Sequence, residues 1–149
     1  MTNYSETPKL NPMKFTLFTL LLSVSTSLCS NFEDFAASLA QVESSNNPKA
    51  YNSKEIAIGI YQIRPGYFKD AREFDRDLAK YKHSDCYNPL VAKRVIYSYF
   101  VRYESKALKN GDWEALARAH NGGCGWRTKT GKVKSNLDNY WTKVSKNLK

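Results

Sequence analysis

The sequence predicts a mainly α, α+β domain: a helical body with a short β-hairpin or extended segment beside it. Three observations carry this. Apolar residues return at helical spacing around Phe35, Phe68, Tyr99, Leu116 and Tyr140. Strict alternation occurs at Ile56, Ile58 and Ile60, with Gly59 inside it. The helical stretches are separated by the stop and start signals Asn46-Asn47-Pro48, Asn88-Pro89 and Asn110-Gly111.

The chain opens on a polar stretch, Met1 to Asn11, followed by Met13-Lys14, an apolar run from Phe15 to Leu28, and small residues at Ser27 and Cys29. This is the pattern of a secretory signal peptide cut before Ser30. The run is too short, and too rich in Ser and Thr, for a membrane span of about 20 residues. Leu28 stands where a lipid-attachment site wants a small residue, and Met13 is an alternative start. The expected organisation is a leader and signal peptide over 1–29 and one domain over 30–149.

Phe32, Phe35, Ala36, Leu39 and Glu43 share one face of the first helix of that domain, which stops at Asn46-Asn47-Pro48. Glu43 thus occupies an apolar position in the last turn. Burial and the negative end of the helix dipole both disfavour its charged form, which prepares a carboxyl to act as a general acid near neutral pH. The alternative is a Glu that turns to the rim and stays solvated. Gly59 to Ile63 reads as a short extended piece, where Gly59 admits a ligand or another backbone at close range. Pro65 opens a helix through about Lys80 on Tyr67, Phe68, Ala71, Phe74 and Leu78, with Asp70, Asp75 and Asp77 on an exposed face. Tyr81 to Tyr87 is a loop. Asn88-Pro89 then caps a long helix through Lys109 on Ile96, Tyr99, Phe100, Tyr103 and Ala107. Asp112 caps a helix from Trp113 to about His120, ended by Gly122-Gly123. A basic loop follows from Gly125 to Ser135, and a core-covering helix from Leu137 to Leu148.

The formal charge is +9, and +8 once the first thirty residues, with Lys9, Lys14 and Glu6, are set aside. Such a surplus suits a polyanion. No finger, helix-turn-helix or aromatic-interleaved basic run marks a specific nucleic-acid partner, so an anionic cell-wall surface is the expected one. Two histidines, His83 and His120, lie outside ligand spacing with the cysteines, and no nucleotide fingerprint is present, so neither metal nor cofactor is expected. Removal of Cys29 with the leader leaves Cys86 and Cys124, the number for one disulfide in an oxidising compartment, with two separate buried thiols as the alternative. A monomer is expected.

Glu43-Ser44, Asn47-Pro48, Ser53, Gly59-Ile60-Tyr61-Gln62-Ile63 and Pro65 occur in the order of a pattern whose usual form is Glu-Ser, Asn-Pro, Ser, Gly-Leu-Met-Gln-Ile, Pro. By these residues the chain resembles the lytic transglycosylases and their lysozyme-like relatives, goose-type lysozymes included, from Asn31 to the C-terminus. The resemblance implies a lysozyme-like fold, peptidoglycan glycan strands as substrate, Glu43 as catalytic acid/base, and Ser44, Tyr61 and Gln62 along the saccharide cleft. Transglycosylases typically carry Ala-Tyr-Asn-Ala-Gly where this chain has Ala119-His120-Asn121-Gly122-Gly123, which places His120 and Asn121 among the substrate-binding candidates. His-Asn-Gly-Gly with the later Tyr140-Trp141 looks more like invertebrate-type lysozymes.

Two chemistries remain open at this point. A lysozyme uses a second carboxylate, and Glu55 is the acidic residue between Glu43 and Gln62. A transglycosylase, by the resemblance, lets the substrate's N-acetyl group assist and closes a 1,6-anhydro ring with one Glu. The anhydro route is slightly preferred. A non-catalytic wall-binding protein on the same fold is the third reading.

Overall fold

Helix α1 covers residues 32–44 and turns Phe35, Ala36, Leu39 and Ala40 inward, each at most 2 % exposed. It ends where the stop signal lies. Ser45 and Asn46 take left-handed φ values of 54° and 63°, and their N–H groups donate to the carbonyls of Gln41 and Ala40, both at 3.1 Å. The structure is a computed structural model that describes residues 32–148. The leader and signal peptide expected over 1–29 lie outside the described residues.

Next comes a two-stranded antiparallel sheet, β1 (Tyr51–Asn52) with β2 (Ala57–Ile58), in the register Tyr51 to Ile58 and Asn52 to Ala57. A bridge from Ile58 to Ile63 closes a second tight turn. Helix α2 (Pro65–Phe74) begins on proline, whose ring restricts Arg64 to extended backbone, φ −83° and ψ 154°. Two 3-10 turns, Arg76–Lys80 and His83–Tyr87, lead to the long α3 (Pro89–Tyr103), where the Asn88 side chain accepts from the Leu90 N–H at 2.9 Å. Then follow α4 (Ser105–Asn110), α5 (Trp113–Gly122), capped by Asp112 on the Ala115 N–H, a 3-10 turn Trp126–Thr128, and α6 (Gly131–Ser145).

The core gathers around α3. Val95, Ile96 and Phe100 are 0 % exposed, Phe35 of α1 packs on Phe100 at 6.0 Å and stacks on Trp113 at 5.1 Å, and Tyr67 of α2 stacks on Tyr99 at 3.8 Å. Each such side chain contributes roughly 1.5–3 kcal/mol by burial. The fold is the expected one, mainly α and lysozyme-like with a small hairpin.

Several boundaries differ from the sequence expectation. Gly59 to Gln62 is a turn, not an extended piece: Gly59 has φ +73° and Gln62 φ 49°, so the alternation of isoleucines serves only the two residues of β2. Helix α2 stops at Phe74 because Asp75 turns away from the surface. Its carboxylate accepts from Arg94 Nε at 2.8 Å, from Ser98 Oγ at 2.8 Å and from the Asp77 N–H at 3.0 Å. Asp75 is therefore a structural cap and not an exposed side chain. The helix expected over 89–109 divides at Glu104, φ −133° and ψ 33°, whose 4 %-exposed carboxylate faces inward to accept from Arg127 Nη2 at 2.8 Å and Trp126 Nε1 at 2.9 Å. Those bonds fold the expected basic loop into a 3-10 turn, and α6 begins at Gly131 instead of Leu137.

The disulfide is also corrected. Cys86 and Cys124 are free thiols, the first 0 % exposed and the second exposed. Bridged sulfurs lie about 2 Å apart and share one environment. These two do not.

Candidate active site

Glu43 projects from the last turn of α1 into a cavity of about 120 Å3, lined also by Asn52, Glu55, Gln62, Arg64, Tyr67, His120 and Asn121. The hairpin, the turn before α2 and the end of α5 thus converge on it. What holds them together is legible from the carbonyls of the 59–62 turn, which need partners once buried. Gly59 O accepts from the Gln62 N–H at 3.1 Å and from Gln62 Nε2 at 3.0 Å. Ile60 O accepts from Ser44 Oγ of α1 at 2.9 Å, and Tyr61 O accepts from His120 Nε2 of α5 at 3.1 Å. One step on, Ile63 O meets His83 Nε2 at 2.7 Å. Gly59 is needed twice over, for its positive φ and because a Cβ there would lie 2.2 Å from the Cys86 carbonyl oxygen. Of the two reasons the sequence offered for Gly59, close approach by another backbone is the one realised.

The Glu43 side chain is 16 % exposed and accepts from Tyr140 Oη at 2.6 Å on Oε1. Burial raises its pKa from 4.5 to about 7. The Tyr140 hydrogen bond and the Arg64 charge oppose that rise, and Glu55 adds to it. Tyr140 is itself pushed well above its ordinary value, first by burial and then by the Glu43 charge, so it stays a donor. With Oε1 occupied by Tyr140, Oε2 is the oxygen left free to carry the carboxyl proton.

His120 is 4 % exposed, and burial lowers its pKa from 6.5 to about 4. It is neutral wherever Glu43 is ionised. Its Nε2, 3.5 Å from Glu43 Oε1, therefore forms no ion pair with it. The hydrogen bonds define the tautomer: Nε2–H donates to the Tyr61 carbonyl, and Nδ1 accepts from Tyr67 Oη at 3.3 Å.

Of the seven residues singled out in the sequence, Glu43, Glu55, Gln62, His120 and Asn121 line one cavity. Ser44 and Tyr61 are elsewhere. Ser44 is a strut between α1 and the turn, and the Tyr61 side chain is 5 % exposed within the core. Glu55 stands on the open side of the cavity, its side chain 54 % exposed and its Oε2 3.8 Å from Arg64 Nε. Arg64 in turn donates from Nη2 to the Asn121 carbonyl at 3.0 Å.

Sequence reasoning missed three residues that line the cavity, Asn52, Arg64 and Tyr67, and the Tyr140 hydroxyl that bonds Glu43. Tyr67 and Tyr140 fall on apolar stripes of the sequence, and a tyrosine on a core-facing stripe carries a hydroxyl that must find a partner. That requirement was the available signal. Arg64 sits inside the Gln-Ile-Arg-Pro run and carries a charge at the edge of the motif; nothing local marks Asn52.

A family model described as the transglycosylase SLT domain matches residues 30–142. No curated protein and no solved structure matches the chain. Proteins with this domain are glycan-cleaving enzymes of the lytic transglycosylase type and act on peptidoglycan strands. With the match spanning most of the chain, and a lysozyme-like helical fold around a buried carboxyl, the chain belongs to the transglycosylase SLT domain family.

Proposed function

We propose that this protein cleaves the bond from N-acetylmuramic acid to N-acetylglucosamine in peptidoglycan by lytic transglycosylation, with Glu43 as the sole acid and base. The supporting observation is the asymmetry of the two carboxyls in the cavity. Glu43 is buried, donor-supported and balanced near neutrality, whereas Glu55 is more than half exposed and faces Arg64. Protonated Glu43 gives its proton to the glycosidic oxygen as the bond to C1 breaks. The resulting carboxylate keeps the Tyr140 hydrogen bond. It then takes the proton of the muramic C6 hydroxyl while O6 bonds to C1, closing the 1,6-anhydro ring and restoring the acid. The substrate's N-acetyl group assists at C1, and no water is consumed. Secretion through the segment before Ser30 brings the enzyme to the wall, where its basic surplus suits an anionic surface.

A hydrolytic reading has one observation in its favour: Glu55 lines the same cavity as Glu43. Mass spectrometry of digested peptidoglycan separates the two, since an anhydro end is one water lighter than a reducing end. Anhydro ends with Glu55→Gln active within about tenfold support transglycosylation. Reducing ends with an inactive Glu55→Gln establish hydrolysis. Glu43→Gln should abolish cleavage in a peptidoglycan zymogram; a variant within about tenfold of the parent would refute Glu43 as the acid, whereas a parent that clears no peptidoglycan would leave only the wall-binding reading.

A further inference from the structure

Arg64 is the one permanently charged cation lining the cavity among the described residues. Pre-proline geometry sets its backbone, and the only hydrogen bond of its guanidinium among the described residues runs from Nη2 to the Asn121 carbonyl at 3.0 Å. The rest of its planar donor fork faces Glu55, whose Oε2 lies 3.8 Å from Nε, beyond hydrogen-bond range. Both side chains are well exposed, at 41 % and 54 %, so water screens the pair and separating it costs little. An oriented, half-satisfied guanidinium held by a backbone carbonyl beside the acid is a carboxylate receptor with a weakly bound placeholder.

We infer that Arg64 selects glycan strands bearing a carboxylate beside the scissile bond, and that Glu55 occupies it in the free enzyme and yields to that group. The inference rests on the reading of this cavity as a peptidoglycan site. Muramic acid supplies such a group in two ways. Its lactyl ether ends in a free carboxylate where the stem peptide has been removed, and the stem peptide brings its own carboxylates where it has not. A substrate carboxylate meeting the Arg64 fork forms two parallel N–H to O bonds, a geometry that a neutral amide cannot match. Glu55 then acts through Arg64 and is a positioning residue, not the second catalytic carboxylate.

The test measures binding of strands to the Glu43→Gln protein, which holds substrate without turnover. Four ligands are compared: peptide-free strands, the same strands amidated with carbodiimide and ammonia, peptide-bearing strands, and these after amidation. The parent should prefer the carboxylate form of at least one pair by about tenfold. That pair identifies the source of the carboxylate. Adding Arg64→Gln should reduce the preference to under about threefold while the amidated strands still bind, and Arg64→Lys, which keeps the charge without the fork, should retain part of it. Adding Glu55→Gln should tighten the carboxylate form and leave the amidated form unchanged. A preference that survives Arg64→Gln, or parent binding of all four strands without preference, overturns this inference and leaves the cavity's assignment standing. Failure of every strand to bind overturns both.

Discussion

Replacing Glu43 by Gln should alter how folding stability depends on pH, because two buried groups in the cavity oppose each other. Glu43 has an ordinary pKa of 4.5 and a folded value of about 7. The folded protein therefore holds its proton more tightly than the unfolded chain, so this contribution is complete below pH 4.5 and is lost as pH rises through 7. The interval converts to about 3 kcal/mol. His120 works in the opposite sense. Its pKa falls from 6.5 to about 4, so the contribution of its neutral form is complete above pH 6.5 and is lost, again by about 3 kcal/mol, as pH falls through 4. Between pH 4.5 and 6.5 the two slopes cancel, and unfolding passes a proton from Glu43 to His120 with none exchanged with solvent. The Gln variant has no proton at position 43 and keeps only the His120 slope. The stability of the variant minus that of the parent should then increase by about 3 kcal/mol from pH 4.5 to 7.5. Taking the difference removes the ion pairs common to both, such as Arg94 with Asp75. Urea unfolding followed by the fluorescence of Trp113, Trp126 and Trp141 at four pH values measures it. A difference that is constant, or that shrinks with rising pH, refutes the assignment of a neutral acid buried beside a neutral imidazole.

Tyr140→Phe removes the donor that favours the Glu43 carboxylate, so the alkaline limb of the pH-rate profile should move upward by about one pH unit; an unmoved limb would show that the 2.6 Å contact does not act on the acid. Arg127→Met leaves Glu104, 4 % exposed, with Trp126 Nε1 as its remaining side-chain donor, and should cost about 2 kcal/mol in urea unfolding. That figure is below the cost for a fully buried pair because the Arg127 side chain is 56 % exposed and water replaces part of its role. Thiol labelling located by peptide mapping should find Cys124 modified in the native protein and Cys86 only after denaturation. Equal protection of both, released by reductant, would restore the disulfide.

The sequence carried the fold where local rules and burial agree. Asn46-Asn47-Pro48 ends α1 and Asn88-Pro89 opens α3 as propensity requires, and Glu43 is inward-facing as its place in the stripe implied. It misled where a long-range polar contact overrides local preference. Nothing near Glu104 shows that α3 must break there, because its partners Trp126 and Arg127 lie over twenty residues away in sequence. Asp75 looked solvated for the same reason, since Arg94 and Ser98 belong to another helix. In the site, the motif located residues more reliably than it assigned their work. The motif implies that Ser44 and Tyr61 line the cleft, yet the first ties α1 to a turn carbonyl, and the second offers His120 its backbone oxygen. A motif records which residue types a turn and a cavity need together, and the division between them requires coordinates.

The contact beneath Gly59 bears on how this cavity can vary. Most tight packing in a core joins two side chains, and enlarging one is tolerated when the other shrinks. The atom beneath position 59 is the main-chain oxygen of Cys86, which every possible residue at 86 supplies in the same place. No second-site exchange at 86 can therefore make room, and relieving the clash would still leave any L-residue at 59 in left-handed backbone. A saturation library at 59 should return glycine alone, and screening paired libraries at 59 and 86 should rescue nothing further. The cavity's chemistry is open to change at its exposed rim, through Glu55 and Asn52, while the turn that carries Gln62 and braces His120 has no neighbouring sequence through which to drift.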